Sequence, residues 1–206
     1  LEDNFVNLYN IFPTTVGAFE FDRAFTEKEL KLINGLEQKS NEGNTTSLDH
    51  YIFKQKGLKN LKEFVDNCIN EYFDKIYCPI NRVNLYVTQS WVNYTKKGQY
   101  HHKHAHPNSF ISGVFYVNAD LTKDKIYFYK EGYNQLELPA KEWNLTNSKS
   151  WWFEVGTGKL LLFPSSLTHM VHTVETEETR ISISFNTFLN GYVGDEHSLT
   201  GLRLGE

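Results

Sequence analysis

The spacing of the apolar residues changes period at Pro79, and no other feature constrains the fold as much. Before it, Leu58, Leu61, Phe64, Val65, Cys68, Ile69, Tyr72, Phe73 and Ile76 recur at spacings of three and four, which marks one face of a helix laid against a sheet. After it come VNLYVTQSWVNYT, SFISGVFYVNA, KIYFYK, SWWFEV, KLLLF, THMVHTV and RISISFNTF, β-branched and aromatic runs separated by Gly, Asn, Asp, Pro or Lys turns. Short strands behind helices predict an α+β chain whose second part is a double-sheet jelly roll, with the N-terminal helices packed on one sheet.

Upstream, NIFPTTVGAFEFD reads as an early strand. TEKELKLINGLEQ reads as a helix capped by Thr26, with Glu27 and Glu29 in its first turn. Pro79 ends the second helix. We read one domain over 1–206: a strand and supporting helices over 1–80, a jelly-roll core over 81–190 and a tail over 191–206. The longest polar connection, YKEGYNQLELPAKEWNLTNSKS, lies between two strands, where lids and specificity elements are often found.

The balance of 21 basic against 25 acidic side chains gives a net charge of -4, and neither sign forms a block. Nucleic acid and anionic membrane are therefore not expected partners. No apolar stretch approaches the roughly 20 residues that span a bilayer, and LEDNFVNLYN has no signal-like run, so we expect a soluble, cytoplasmic protein. Cys68 and Cys78 are too few for a thiolate zinc site or a disulfide framework. Oligomeric state is not legible.

Six of the eight histidines fall into two groups: His101, His102, His104 and His106, then His169 and His172. In an extended segment side chains two apart share a face, so His104 and His106 can converge on one point, as can His102 and His104. A third ligand must come from elsewhere, and KLLLFPSSLTHMVHTV supplies His169 on a strand after a Pro-Ser turn. Neutral imidazoles suit zinc, iron, copper or nickel, which leaves the metal open. His101 and His102 read as solvated or supporting groups. In TRISISFNTF, Ile181, Ile183 and Phe185 point one way and Arg180, Ser182 and Ser184 the other. That polar face is either an outward edge or the lining of a barrel, where Arg180 would offer its planar fork to a carboxylate and Ser182 a hydroxyl. Trp91, Trp143, Trp151 and Trp152 read as core or edge packing, with the lining of an entrance as the alternative.

WVNYTKKGQYHHKHAHPNSFISGVFYVN and LLLFPSSLTHMVHTVETEETRISISFN, taken in this order, resemble the Fe(II)- and 2-oxoglutarate-dependent oxygenase superfamily in its prolyl-hydroxylase-like branch. They are more closely similar to an uncharacterised oxygenase family of bacteria and of marine phages related to the T-even type. The resemblance covers about residues 85–190, and the tail loosely. It implies a double-stranded β-helix, Fe(II) as cofactor, and 2-oxoglutarate and O2 as co-substrates of a hydroxylase. The substrate it implies is a prolyl or other peptide residue, with a small molecule left open.

Residue by residue, the resemblance places His104 and His169 at iron-ligand positions and His106 where the branch usually has Asp. Tyr94 and Tyr116 match tyrosines that hold or line the 2-oxoglutarate, and Arg180 with Ser182 matches the pair that binds its distal carboxylate. Three neutral ligands leave the metal charge uncompensated until a dianion binds. A three-histidine site with an open position also describes catalytic zinc, for hydrolysis or isomerisation. A metal-binding jelly roll without catalysis is the third reading.

Overall fold

The computed structural model describes residues 7–81, 83–132 and 136–205. In chain order its elements are β1 (Gly17–Glu20), α1 (Glu27–Asn34), β2 (Gln38–Ser40), β3 (Thr45–Ser47), α2 (Lys59–Tyr77), β4 (Val83–Thr95), β5 (His101–His104), β6 (Ile111–Asn118), β7 (Lys125–Tyr129), β8 (Ser150–Glu154), β9 (Lys159–Pro164), β10 (His169–Val171), β11 (Arg180–Val193) and β12 (Leu202–Leu204). They form two sheets. The larger runs β1-β9-β6-β11-β4-β3-β2, with β12 added to β11, and the smaller runs β5-β10-β7-β8. Two antiparallel sheets face to face, with the helices N-terminal, make the expected jelly roll.

Alternation along the long strands divides the interior in two. From the larger sheet, Val92, Tyr94, Phe115, Val117, Ile181, Ile183 and Phe185 turn toward the helices and meet Leu61, Val65, Ile69, Tyr72 and Phe73 of α2. Between the sheets, Val114, Tyr116, Leu161 and Phe163 meet Ile126 and Phe128 of β7. Gly113 in β6 sits where β11 closes in, since a Cβ there would lie 2.2 Å from the Phe185 ring.

The α2 stripe is buried as its spacing predicts, except that Ile76 remains 42% exposed. The helix stops at Cys78, whose left-handed backbone (φ 43°) precedes Pro79 and whose N–H donates back to Asp74 O at 3.2 Å. Thr26 caps α1 in a reciprocal box with Glu29. Arg23 also grips Glu29, at 2.7 and 2.9 Å, and holds its buried carboxyl below the usual range.

Two expectations need correction. The helix expected over 26–38 ends at Asn34, because the Gly35 N–H closes the last turn onto Lys31 O and Leu32 O. Polar residues beyond it form the β2–β3 hairpin, paired from Gln38↔Ser47 to Ser40↔Thr45, which has no hydrophobic alternation to announce it. The early strand begins only at Gly17, where it finds β9 as a partner through Gly17↔Leu162. Part of the long connection between β7 and β8, residues 133–135, lies outside the described residues. No helix among the described residues is long and apolar enough to cross a membrane.

Candidate metal centre

The histidine run is itself a strand, β5, and it pairs with β10 so that His104 lies directly opposite His169. His106 follows in the turn after β5, where its backbone N–H donates to Ser165 O at 2.9 Å. The three rings converge, with centroids 4.4 Å apart for His104 and His169, 4.8 Å for His104 and His106, and 5.1 Å for His106 and His169. Their ligand nitrogens all lie within 4.8 Å of one another.

Buried hydroxyls tie the two turns that carry these rings. Ser165 Oγ lies 2.7 Å from Ser109 Oγ and 2.8 Å from Ser112 Oγ, and Ser112 donates to Asn186 Oδ1 at 2.8 Å. Sequence reasoning noted these serines only as motif letters. Their clustering with Asn186 on two strands, β6 and β11, and two turns ties the turn that carries His106 to the one that leads into His169.

The tautomers follow from backbone partners. His104 donates its Nδ1–H to His102 O at 2.8 Å, and His169 donates its own to Leu167 O at 2.9 Å. Each then presents an Nε2 lone pair to the cluster. Burial, reinforced by the neighbouring rings, pulls His169 down to about 4 and His106 down to about 3, and it lowers His104 as well. All three are neutral near pH 7, the form that binds metal. Both candidate metal groups among the described residues contain histidine alone.

Arg180 enters the same cavity from the start of β11 and is 4% exposed. Its Nη1 donates to Lys125 O at 2.9 Å and its Nη2 to Tyr116 Oη at 3.2 Å. The Asp124 carboxylate stands 3.9 Å away, also buried. Tyr116 is fully buried beneath the guanidinium. Ser182 and Ser184 line the cavity beside Arg180, on the polar face of β11.

Tyr94 is not in this cavity. It points to the helix side of the sheet, 3% exposed, and its hydroxyl donates to Ile33 O. Strand alternation is the reason, since the β4 residues that face inward are Trp91 and Asn93, paired in register with Ser184 and Ser182. Trp91, read from sequence as packing, therefore lines the cavity 5.9 Å from the His106 ring. Asn93 donates through Nδ2 to Ser184 Oγ at 2.9 Å, while its buried Oδ1 has no partner among the described residues.

His101, read from sequence as solvated or supporting, lies in the cavity. Two residues of β5, His102 and Lys103, face the single Met170 of β10, and this bulge turns His101 onto the same side as His104. Its ring stacks on His104 at 4.8 Å and 29° and lines the cavity. His172 is turned away, stacked on Tyr127 at 3.8 Å and bonded to the Tyr129 hydroxyl. The inner cavity is narrow, about 30 Å³, and a more open vestibule of about 290 Å³ adjoins it. Trp91, His101, His104 and His106 line both.

Residues 89–186, which include every residue lining the inner cavity, match a family described as "Putative 2OG-Fe(II) oxygenase". No curated protein matches the chain. Among solved structures, HygX from Streptomyces hygroscopicus with nickel and 2-oxoglutarate bound superposes with a TM-score of 0.57 at 11% identity, covering 84% of this chain and 82% of that one. A 2OG-Fe(II) oxygenase family oxidoreductase from Burkholderia pseudomallei gives 0.56 at 13% identity, over 84% and 83% of the two chains. A Trichoplax adhaerens prolyl hydroxylase in complex with a hypoxia inducible factor peptide fragment gives the same values. At these identities the likeness to solved structures is one of fold.

Proposed function

We propose that this chain is a 2-oxoglutarate-dependent Fe(II) oxygenase, a reading the family match over residues 89–186 supports, in which His104, His106 and His169 hold the iron while Arg180 anchors the co-substrate. One observation carries this reading: a buried guanidinium fork lines the same cavity as three neutral imidazoles. The donor set fits a borderline divalent ion, because two of the rings already have their Nδ1–H committed to carbonyls and present Nε2. Bound iron would supply oxygen activation and C–H hydroxylation, with 2-oxoglutarate oxidised to succinate and CO2.

The chain's own residues bind and position. Arg180 gives two parallel N–H donors to the distal carboxylate, held in line by Lys125 O and the Tyr116 hydroxyl. Ser182 adds a hydroxyl on the same face. The narrow inner cavity requires side chains to shift as the keto acid enters, and Trp91 and His101 are the two at the mouth that are outside the proposed ligand set. Lys39, Asn41, Thr46 and Gln89 place hydrogen-bonding groups along the vestibule beside Trp91, which suits the backbone of a peptide around a prolyl or other residue, or another substrate with polar groups.

The all-histidine donor set also favours a second reading, zinc with an open position for hydrolysis or isomerisation. That reading gives the buried guanidinium fork only its structural contacts with Asp124, Lys125 O and Tyr116. Succinate formation from 2-oxoglutarate by aerobic, Fe(II)-loaded protein, followed with and without candidate peptides, separates the two. Succinate that depends on iron and falls in Arg180→Lys supports the oxygenase, whereas zinc-dependent hydrolysis without succinate supports the alternative.

A further inference from the structure

The proposed iron ligands do not exhaust the imidazoles. His101, His102 and His104 form a second group whose ligand nitrogens also lie within 4.8 Å of one another. Their ring centroids are 4.6 Å apart for His102 and His104, 4.8 Å for His101 and His104, and 5.2 Å for His101 and His102. All three rings face the vestibule, whereas His169 lines only the inner cavity.

Two features separate this group from ordinary packing. The β5 bulge gives up regular pairing with β10 to bring His101 round to His104, and such bulges re-aim side chains. His102 and His104 have backbone carbonyls within 3.5 and 2.8 Å of Nδ1, while the His101 ring has no hydrogen-bond partner among the described residues. A half-buried, neutral imidazole stacked on another imidazole and bonded to nothing is a poor packing unit and a good ligand. Glu42, whose carboxylate is 3.9 Å from His102 Nδ1 and exposed, adds negative charge at the mouth.

We propose that His101, His102 and His104 form an outer divalent-metal site that captures the ion from solution and passes it to His106 and His169 through the shared His104. The His104 Nδ1–H is committed to His102 O, so only Nε2 is free and the two sites cannot be filled together. Capture and transfer are then one exchange: His104 stays bound while His101 and His102 leave the ion and His106 and His169 replace them. The exchange replaces one imidazole lone pair on the ion by another, so metal count and charge are unchanged. The inner end of this path rests on the iron-site reading above, but the outer site does not.

The test is Co(II) titration of the full chain, read by visible absorption and calorimetry, with folding checked by circular dichroism. The His106→Ala/His169→Ala variant should bind one Co(II), roughly tenfold or more weakly than wild type. Adding His101→Ala and His102→Ala should abolish that binding. No binding by the folded first variant, or binding that survives loss of His101 and His102, overturns the proposal. Wild type should take one equivalent, and two would overturn the shared ligand. Should the inner-site variant fail to fold, stopped-flow loading of His101→Ala/His102→Ala decides: the same final spectrum reached more slowly than in wild type supports capture, and an unchanged rate overturns it. Failure of the oxygenase reading would show separately, as a wild-type Co(II) spectrum indifferent to 2-oxoglutarate.

Discussion

His104 and His169 face each other across β5 and β10, and each donates its Nδ1–H to the carbonyl of the residue two before it, His102 and Leu167. The two strands thus orient their rings by the same local device and aim both Nε2 atoms at one point. Replacing either ring by Ala should cost more Ni(II) affinity than the roughly 10- to 100-fold that loss of an outer partner costs a metal site. Calorimetry on each variant checks this, and wild-type affinity in either would remove that residue from the ligand set.

Arg180 and Asp124 are both buried, so the two Arg180 substitutions should act differently. Arg180→Lys keeps the charge but loses the fork, and 2-oxoglutarate affinity should fall while the fold persists. Arg180→Ala leaves Asp124 buried without its partner, which should destabilise the protein by about 3–5 kcal/mol. Urea unfolding beside 2-oxoglutarate binding distinguishes the two effects. Equal stability of the Lys and Ala variants would contradict the pairing.

The tyrosines part company in the same way. Tyr116 touches the Arg180 fork, and Tyr94 bonds Ile33 O on the far side of the sheet. Tyr116→Phe should weaken 2-oxoglutarate binding. Tyr94→Phe should leave it unchanged and lower stability by about 0.5–1.5 kcal/mol. A loss of co-substrate affinity in Tyr94→Phe would return that residue to the site.

Acid should weaken the metal-free fold. Burial holds His169 at about 4, His106 at about 3 and His101 at about 2, against an ordinary value of 6.5. Below 6.5 the unfolded chain takes up protons that the folded chain refuses, so stability is lost as pH falls toward the folded values. The slope is about 1.4 kcal/mol per pH unit for each such histidine. Thermal unfolding of metal-free protein between about pH 7.5 and pH 5 should fall more steeply than that of His106→Ala/His169→Ala. Parallel curves would contradict these depressed values.

Much of the site was legible because period-two alternation holds within one strand. The pattern of β11 alone separated Ile181, Ile183 and Phe185 from Arg180, Ser182 and Ser184 but left the polar face as either an outward edge or a barrel lining; in the structure it lines the cavity, and the apolar face meets the helices. What the pattern lacks is phase between strands. Tyr94 was assigned inward by resemblance, yet its neighbours Trp91 and Asn93 take that face because they pair with Ser184 and Ser182, about ninety residues away. Whether His101 was solvated or supporting stayed open for a related reason: a bulge adds one residue to β5 and reverses the alternation there, and nothing in HHKH announces it. The β2–β3 hairpin is polar throughout its first strand, so no apolar periodicity could reveal it.

Three neutral imidazoles leave two positive charges on the ion, and dianionic 2-oxoglutarate would neutralise them. Metal and co-substrate should therefore strengthen each other's binding by the same factor. The most direct test is an anaerobic titration of metal-free protein with Fe(II) and then 2-oxoglutarate, watching for the weak visible charge-transfer band of a keto acid chelated to iron. The band should appear in the wild type, be lost in His106→Ala and weaken in Arg180→Lys. Iron that binds without any band, or a band indifferent to both substitutions, would contradict an oxygenase built on His104, His106, His169 and Arg180.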